Sequence, residues 1–364
     1  MIDSENQAVT PSSKTAILPL IFTGIVIILI VLSFLGMAGL DLQNVFGGGM
    51  SQYNYEHMMM DTFVTISIFT DEGKDKADEA SRKTFEEMER LEAMLHRKTE
   101  GSDVWIINKN AGISAVSVNK ITFELIQKGI KYGEVTKGAF DITIAPLMDL
   151  WGFGEEESIV PSQSQIEEML QLVNYERIVL DESALEVFLE DKDMALDLGG
   201  IAKGFIVDRG MEVLMENGID KAFLNAGGDI RLKGGKPGDE PWVVGIKNPR
   251  DEEGLQPLTG KISLFDSAVV TSGDYQRYFE ESGRRYHHII DTADGYPSDK
   301  LLSVTVIHND ALDADVLSTA IFVMGKEEGL KLIEDLVDAE AVIITPEMEI
   351  FYSDGLEDFF ELIP

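Results

Sequence analysis

The sequence predicts an α+β protein carried on one membrane-spanning N-terminal helix, and three observations lead there. Residues 16–40 (AILPLIFTGIVIILIVLSFLGMAGL) contain no charged side chain. That is long enough for a bilayer crossing, which takes about 20 apolar residues in a helix. Downstream, short alternating runs of β character are mixed with longer runs whose apolar residues recur at helical spacing. At 364 residues and 44% hydrophobic content, the chain can bury a sizeable core.

The elements follow in order. Lys14 precedes the apolar run and the next basic residue is Lys74, so the positive-inside tendency puts residues 1–15 in the cytoplasm and the bulk of the chain outside. A cleaved signal peptide is the rival reading, but its apolar region is usually about 7–15 residues and ends at a clear small-residue site. The run therefore reads as a retained anchor. Residues 41–56, rich in Gly, Asn and Gln, read as a linker, and the folded domain as 57–364. Residues 62–69 alternate as a strand, and 76–95 carry Ala80, Met88, Leu91, Met94 and Leu95 at helical spacing. Helices are predicted at 121–135 and 166–173, and a strand pair at 177–181 and 185–189. Residues 194–198 alternate like the end of a strand, with a helix over 201–214. Strands at 222–232, 242–246, 260–264, 268–272, 287–290 and 302–307 precede helices at 315–324 and 327–336, and strands near 341–344 and 348–352 close the chain.

Charge narrows the function classes. Thirty basic against 65 acidic residues give a net charge of −35, which repels nucleic acid and anionic membrane surfaces. A phosphorylated ligand then needs local compensation from placed lysines or a divalent metal. The chain has no cysteine, so disulfides, thiolate metal sites and a cysteine nucleophile are excluded.

Residues 195–208 (ALDLGGIAKGFIVD) put two carboxylates, two adjacent glycines and a lysine into a strand-to-helix turn. A helix opening beside Lys203 favours an anion through its free N–H groups and one ammonium, and the glycine carbonyls can face a hard cation. Alone, this is also the pattern of an ordinary glycine turn. In residues 311–325 (ALDADVLSTAIFVMG), Asp315 and Thr319 stand four apart and share one helical face, with Ser318 on its edge. Those oxygens suit Mg²⁺. They equally suit an acidic first turn with hydroxyls bonded back to the helix. In residues 138–154 (GAFDITIAPLMDLWGFG), Asp141 can meet a ligand and the apolar run with Trp151 can enclose a ring system, although such a pattern is more often core. Two further turns, 225–229 (NAGGD) and 271–275 (TSGDY), precede His287 and His288. His287 reads as structural, and His288 stays open between structure and base.

Taken in order, MDT at 60–62, AFD at 139–141, DLGGIAKG at 197–204, NAGGD, TSGDY, HHIID and DADVLSTA resemble the ApbE family, the Mg²⁺-dependent FAD:protein FMN transferases. The resemblance runs from about Met58 to Leu362. It implies mixed, mostly antiparallel sheets with packed helices. It also implies cleavage of FAD at its diphosphate, with FMN attached through a phosphoester to a threonine or serine hydroxyl of a flavoprotein and AMP released. Some relatives hydrolyse FAD to FMN and AMP instead, and a non-catalytic surface flavin binder is a third reading.

Carried over by motif, Met60, Ala139, Phe140, Asp141, Asp197, Lys203, His288 and Ile289 would contact FAD. Mg²⁺ would be held by the Gly200 carbonyl, Asp315 and Thr319, with Ser318 less certain. The base is not evident from the motifs, and Asp197, His288 or a metal-bound water are the candidates. Many members carry a lipid on a cysteine, which this chain lacks, so the uncleaved helix would replace the lipid. The acceptor motif resembles Ser/Thr-Gly-Ala-Thr, and no such tetrapeptide occurs here, so the chain is not expected to be its own acceptor. By analogy the partners would be flavin-bearing subunits of membrane electron-transfer or ion-pumping complexes on the outer side of the membrane.

Overall fold

A computed structural model describes residues 49–153, 158–251 and 254–363. The predicted cytoplasmic segment and anchor, residues 1–15 and 16–40, lie outside the described residues, within which no helix is long and apolar enough to cross a membrane. Strands β1 (Ser51–Met59) and β2 (Thr62–Thr70) open the fold, followed by α1 (Lys74–Leu95), α2 (Asp103–Lys109), β3 (Val116–Ser117), α3 (Lys120–Val135), α4 (Ala145–Trp151) and α5 (Gln163–Leu170). Next come β4 (Ile178–Asp181), β5 (Glu186–Leu189), α6 (Gly199–Glu216), β6 (Ala222–Ala226), β7 (Asp229–Lys233), β8 (Trp242–Lys247), β9 (Leu258–Leu264) and β10 (Ala268–Gly273). The chain closes with β11 (Tyr278–Glu281), β12 (Arg284–His287), β13 (Ser303–His308), α7 (Ala311–Met324), α8 (Lys326–Glu334), β14 (Ala339–Ile344), β15 (Ile350–Tyr352) and β16 (Phe360–Leu362).

An eight-stranded sheet in the order β1-β2-β6-β7-β10-β13-β14-β15 is the centre of the unit that begins at Ser51, and its ladders are antiparallel throughout. Period-two alternation gives it two faces. On one, Val64, Ile66, Ile68, Leu224, Val270, Val304 and Ile343 join residues of α1, α6 and α7 in the main core. On the other, Ile230, Leu232, Val269, Ile307 and Val342 meet Trp242, Val244, Ile246 and Ile262 of the smaller β16-β9-β8 sheet. This is the α+β architecture with antiparallel sheets expected from the sequence.

Helix α7 is buried on nearly every side, and only Asp313, Thr319 and Met324 fall outside its buried set. A helix apolar all round belongs inside a protein. The partly open positions of α7 therefore mark where it faces something other than core.

Several boundaries differ from the sequence reading. Residues 51–56, assigned to the linker, form most of β1 and pair residue by residue with β2. This is an edge strand in which Tyr53 and Tyr55 pack on the core while Gln52, Asn54 and Glu56 are exposed, so half its positions are polar and it reads as loop. Residues 194–198 are not a strand, although their burial does alternate. Leu196 satisfies both backbone groups on the Asn108 side-chain amide, and Asp197 N–H donates to Ile142 O at 2.8 Å, so no ladder forms. Helix α6 starts at Gly199, which puts Lys203 a full turn inside it. The strand expected at 287–290 ends at His287, the helix expected at 166–173 runs Gln163–Leu170, and the run 222–232 is a hairpin broken at Gly227-Gly228.

Candidate functional site

The seven motif segments converge through specific contacts. Met60 and Asp61 form the β1–β2 turn with positive φ, and Met60 N–H donates to Glu92 Oε1 at 2.9 Å. That tip abuts the NAGGD turn so closely that a Cβ on Gly227, where φ is +63°, would lie 2.4 Å from Thr62 Oγ1. Asp229, which ends the turn, meets Lys203 Nζ at 2.9 Å. The AFD segment joins through Phe140, whose ring edge lies 3.2 Å from the position of a Cβ on Gly200. Thr292, just past HHIID, donates to Gly138 O at 2.6 Å. In the TSGDY turn, Ser272 Oγ lies 2.8 Å from Ser318 Oγ and 3.3 Å from Thr319 Oγ1.

The electrostatic centre is Lys203 between two carboxylates. Asp229 is 1% exposed and Asp315 5% exposed. Burial raises the Asp229 carboxyl above its ordinary range, opposed by Lys203. Burial, with Asp229 adding, pushes Asp315 up to about 8. Burial alone would lower the Lys203 ammonium, but Asp229 and Asp315 outweigh it and hold it above its ordinary value. Apart from that ammonium, neither Asp229 oxygen has a hydrogen-bond donor, and Asp315 Oδ2 accepts from Gly204 N at 3.0 Å. Two buried carboxyl groups, both raised, thus face one ammonium, which is paired with Asp229.

That surplus is an observation against which Mg²⁺ can be tested, and the donor set fits it. Thr319 Oγ1 would lie 3.8 Å from a Cβ on Gly200, so the start of α6 and the Asp315/Thr319 face of α7 adjoin. Hard oxygens on carboxyl groups that outnumber the local cation suit a small dication that keeps waters. Ser318 differs, being wholly buried, with its hydroxyl donating to Asp315 O at 3.0 Å while it contacts Ser272. Its geometry is that of a hydroxyl bonded back to its own helix.

The other candidates divide. Asp197 Oδ1 accepts from Gly199 N–H at 2.8 Å and Oδ2 from Arg97 Nε at 2.8 Å, so this carboxylate is held on both sides. Arg97, 13% exposed at the side chain, also clamps Asp149 with its other two nitrogens. Asp141 spends both oxygens on Thr143 and on Tyr175 N–H, and burial raises it. His288, partly exposed, is lowered to about 3, by burial first and then by Arg277. It is neutral at physiological pH. Its Nδ1 lies 3.3 Å from the Arg277 carbonyl, an acceptor, which assigns the proton to Nδ1 and leaves the Nε2 lone pair free to accept. Arg277 in turn reaches Asp61 at 3.5 Å, tying this histidine to the hairpin tip. Ile289 is buried, and its carbonyl accepts from Ser298 N–H.

His287 is structural, as the sequence suggested. It is 5% exposed, bonded to Ser298 O at 2.8 Å, set edge-on to Phe322, and lowered by burial. Trp151 does not enclose a ligand. It is wholly buried among Phe153, Phe279, Tyr286 and Tyr296, with its indole N–H on Gly295 O at 2.9 Å. The sequence reading missed Arg97 and Asp229. Arg97 carries no motif signal, whereas alternation from Asp229 to Arg231 along β7 would have aimed both at the helices.

The chain is similar to known proteins over most of its length. The ApbE family profile matches residues 60–343. The chain is 36% identical to the FAD:protein FMN transferase of Klebsiella pneumoniae (strain 342) over 303 residues, covering 83% of this chain and 92% of that protein. It is 30% identical to the enzyme of the same name from Treponema pallidum (strain Nichols), over 84% and 88% of the two chains. Among solved structures, the ApbE protein of Thermotoga maritima is similar with a TM-score of 0.78 at 35% identity, over 85% of this chain and 99% of that one. The flavin transferase ApbE of Vibrio cholerae follows with a TM-score of 0.76 at 26% identity and the same coverage.

Proposed function

The chain belongs to the ApbE family and is an FAD:protein FMN transferase, and from that premise we propose a Mg²⁺-dependent transfer to a threonine or serine hydroxyl of an acceptor flavoprotein. The acceptor oxygen attacks the phosphorus on the FMN side of the FAD diphosphate, the bond to the AMP phosphate breaks, and AMP leaves. The product is FMN in phosphoester linkage to the acceptor. The observation that carries this reading is the pair of buried carboxyl groups, Asp229 in contact with Lys203 and Asp315 acting on it through its field.

Gly200 O, Asp315 and Thr319 would hold the metal, whose contribution when bound is to neutralise diphosphate charge. The protein's own groups do the rest. Lys203 places a partly exposed ammonium beside the ligands, where it attracts the diphosphate and offsets charge on the departing AMP. Phe140 borders the start of α6 as an apolar wall. Met60, Ala139 and Ile289 are assigned to the flavin nucleotide, with Asp197, fixed by Arg97, as a held acceptor. The candidates to take the acceptor proton are His288 at Nε2, unprotonated but lowered as a base, and Asp197, whose oxygens accept from Gly199 and Arg97.

We place the enzyme at the cell membrane, anchored by residues 16–40 with the catalytic domain outside. Its acceptors would be flavin-bearing subunits of membrane electron-transfer or ion-pumping complexes on that side. The charge asymmetry around the apolar run supports the orientation. The deciding experiment incubates the chain with FAD, Mg²⁺ and a candidate acceptor and weighs the acceptor by mass spectrometry. A mass increase equal to FMN, dependent on Mg²⁺, is expected. Release of FMN and AMP with several acceptors left unmodified would replace transfer by FAD hydrolysis.

A further inference from the structure

The contacts between α6 and α7 form three rungs at four-residue intervals, counted forwards on α6 and backwards on α7. Gly200 adjoins Thr319, Gly204 N–H donates to Asp315, and Asp208 accepts from the backbone N–H groups of Ala311 and Leu312, each at 2.9 Å. The helices therefore run antiparallel, with one turn of each between rungs. The middle rung is a very close approach, since a Cβ on Gly204 would lie 2.3 Å from Ala311 O. The first two rungs carry the groups assigned to the metal. The third contains no ligand.

The first N–H groups of a helix need acceptors from outside it. Asp310, at the start of α7, makes no side-chain cap. Asp208 supplies the cap from another helix, one oxygen to each N–H, and is itself held by Arg231 Nε at 3.1 Å. Because a one-residue slip turns a helix by about 100°, such a slip of α7 would take Asp315 and Thr319 off the face that meets α6. We infer that Asp208 is a positioning residue that fixes α7 against α6 and so assembles the Gly200, Asp315 and Thr319 cation site. The inference rests on the reading of that site given under Proposed function.

The test titrates the full chain with Mn²⁺ in place of Mg²⁺, following free Mn²⁺ by electron paramagnetic resonance, with FAD present and absent. Asp208→Ala is expected to weaken Mn²⁺ binding roughly tenfold or more, the scale of losing a group that orients a metal ligand. Asp208→Asn keeps one acceptor oxygen, and its loss should be intermediate. In turnover, the KM for Mg²⁺ should rise further than kcat falls. Ser102→Ala is the matched control, because it removes the side-chain cap that accepts from Trp105 N–H on α2. It should lower the melting temperature and leave the Mn²⁺ isotherm unchanged. If Asp208→Ala does not fold, Asp208→Asn carries the test. Wild-type isotherms in the Asp208 variants would overturn this inference alone, whereas a wild-type chain that binds no Mn²⁺ would overturn the metal reading on which it stands.

Discussion

The backbone N–H of Gly204 donates to Asp315 Oδ2 at 3.0 Å, joining positions 111 residues apart in the chain. This bond needs a glycine on α6, because any side chain there would meet the backbone of α7. Gly204→Ala is expected to cost about 1–3 kcal/mol in urea denaturation, the range for overpacking a tight contact. Turnover at saturating Mg²⁺ should fall as well. Wild-type stability in this variant would mean that the helices stand further apart.

Asp315→Asn keeps the shape of the side chain and removes its charge. Turnover should fall at least roughly a hundredfold, as when a group acting on transition-state charge is lost. FAD affinity should change only modestly, because Lys203 keeps its partner Asp229. Flavin titration and product assay on the same preparation check both. Retained turnover would remove Asp315 from the site.

For His288, burial and Arg277 depress the folded value to about 3 against an ordinary 6.5. Its contribution to stability is therefore full above pH 6.5 and is lost as pH falls from there toward 3. His288→Gln should flatten that part of the stability–pH curve. The wild-type pH–rate profile should show no inflection near 6.5 from this group. An inflection there that vanishes in the variant would contradict an imidazole that stays neutral.

Arg97 links Asp197 to Asp149 through a planar fork. Arg97→Ala should raise the KM for FAD roughly tenfold, equivalent to about 1.4 kcal/mol. Arg97→Lys should not restore it, since a single ammonium cannot serve both carboxylates in that geometry. An unchanged KM in both variants would detach Asp197 from flavin binding.

Trp151→Phe removes the indole donor to the buried Gly295 carbonyl. A loss of about 1–3 kcal/mol in stability is expected, with the KM for FAD unchanged. A selective rise in that KM would reinstate Trp151 as part of the flavin enclosure.

Much of the fold was legible because it depends on local pattern. Residues 62–69 alternate and residues 76–95 repeat at helical spacing, and β2 and α1 lie there within two residues at either end. Where the pattern was ambiguous, the partner decided. The polar half of β1 reads as linker, and only pairing with β2 sets its tyrosines against the core. Residues 194–198 alternate as well as any strand, yet the Asn108 amide takes the backbone groups a ladder would use.

By itself the sequence determined the α+β class, the segments that meet at the site and the oxygen-bearing pair Asp315 and Thr319, since spacing along a helix fixes a shared face. Tertiary structure decided what those groups face. Only packing of α6 on α7 sets Gly204 against Asp315, and only the β6–β7 hairpin brings Asp229 to Lys203. Likewise, only the surroundings of Trp151, Asp141 and Ser318 show that their polar groups are already engaged within the chain. Hydrophobic periodicity is written in neighbouring residues. Charge balance and hydrogen-bond saturation depend on groups brought together from other elements, and exist only once the chain has closed.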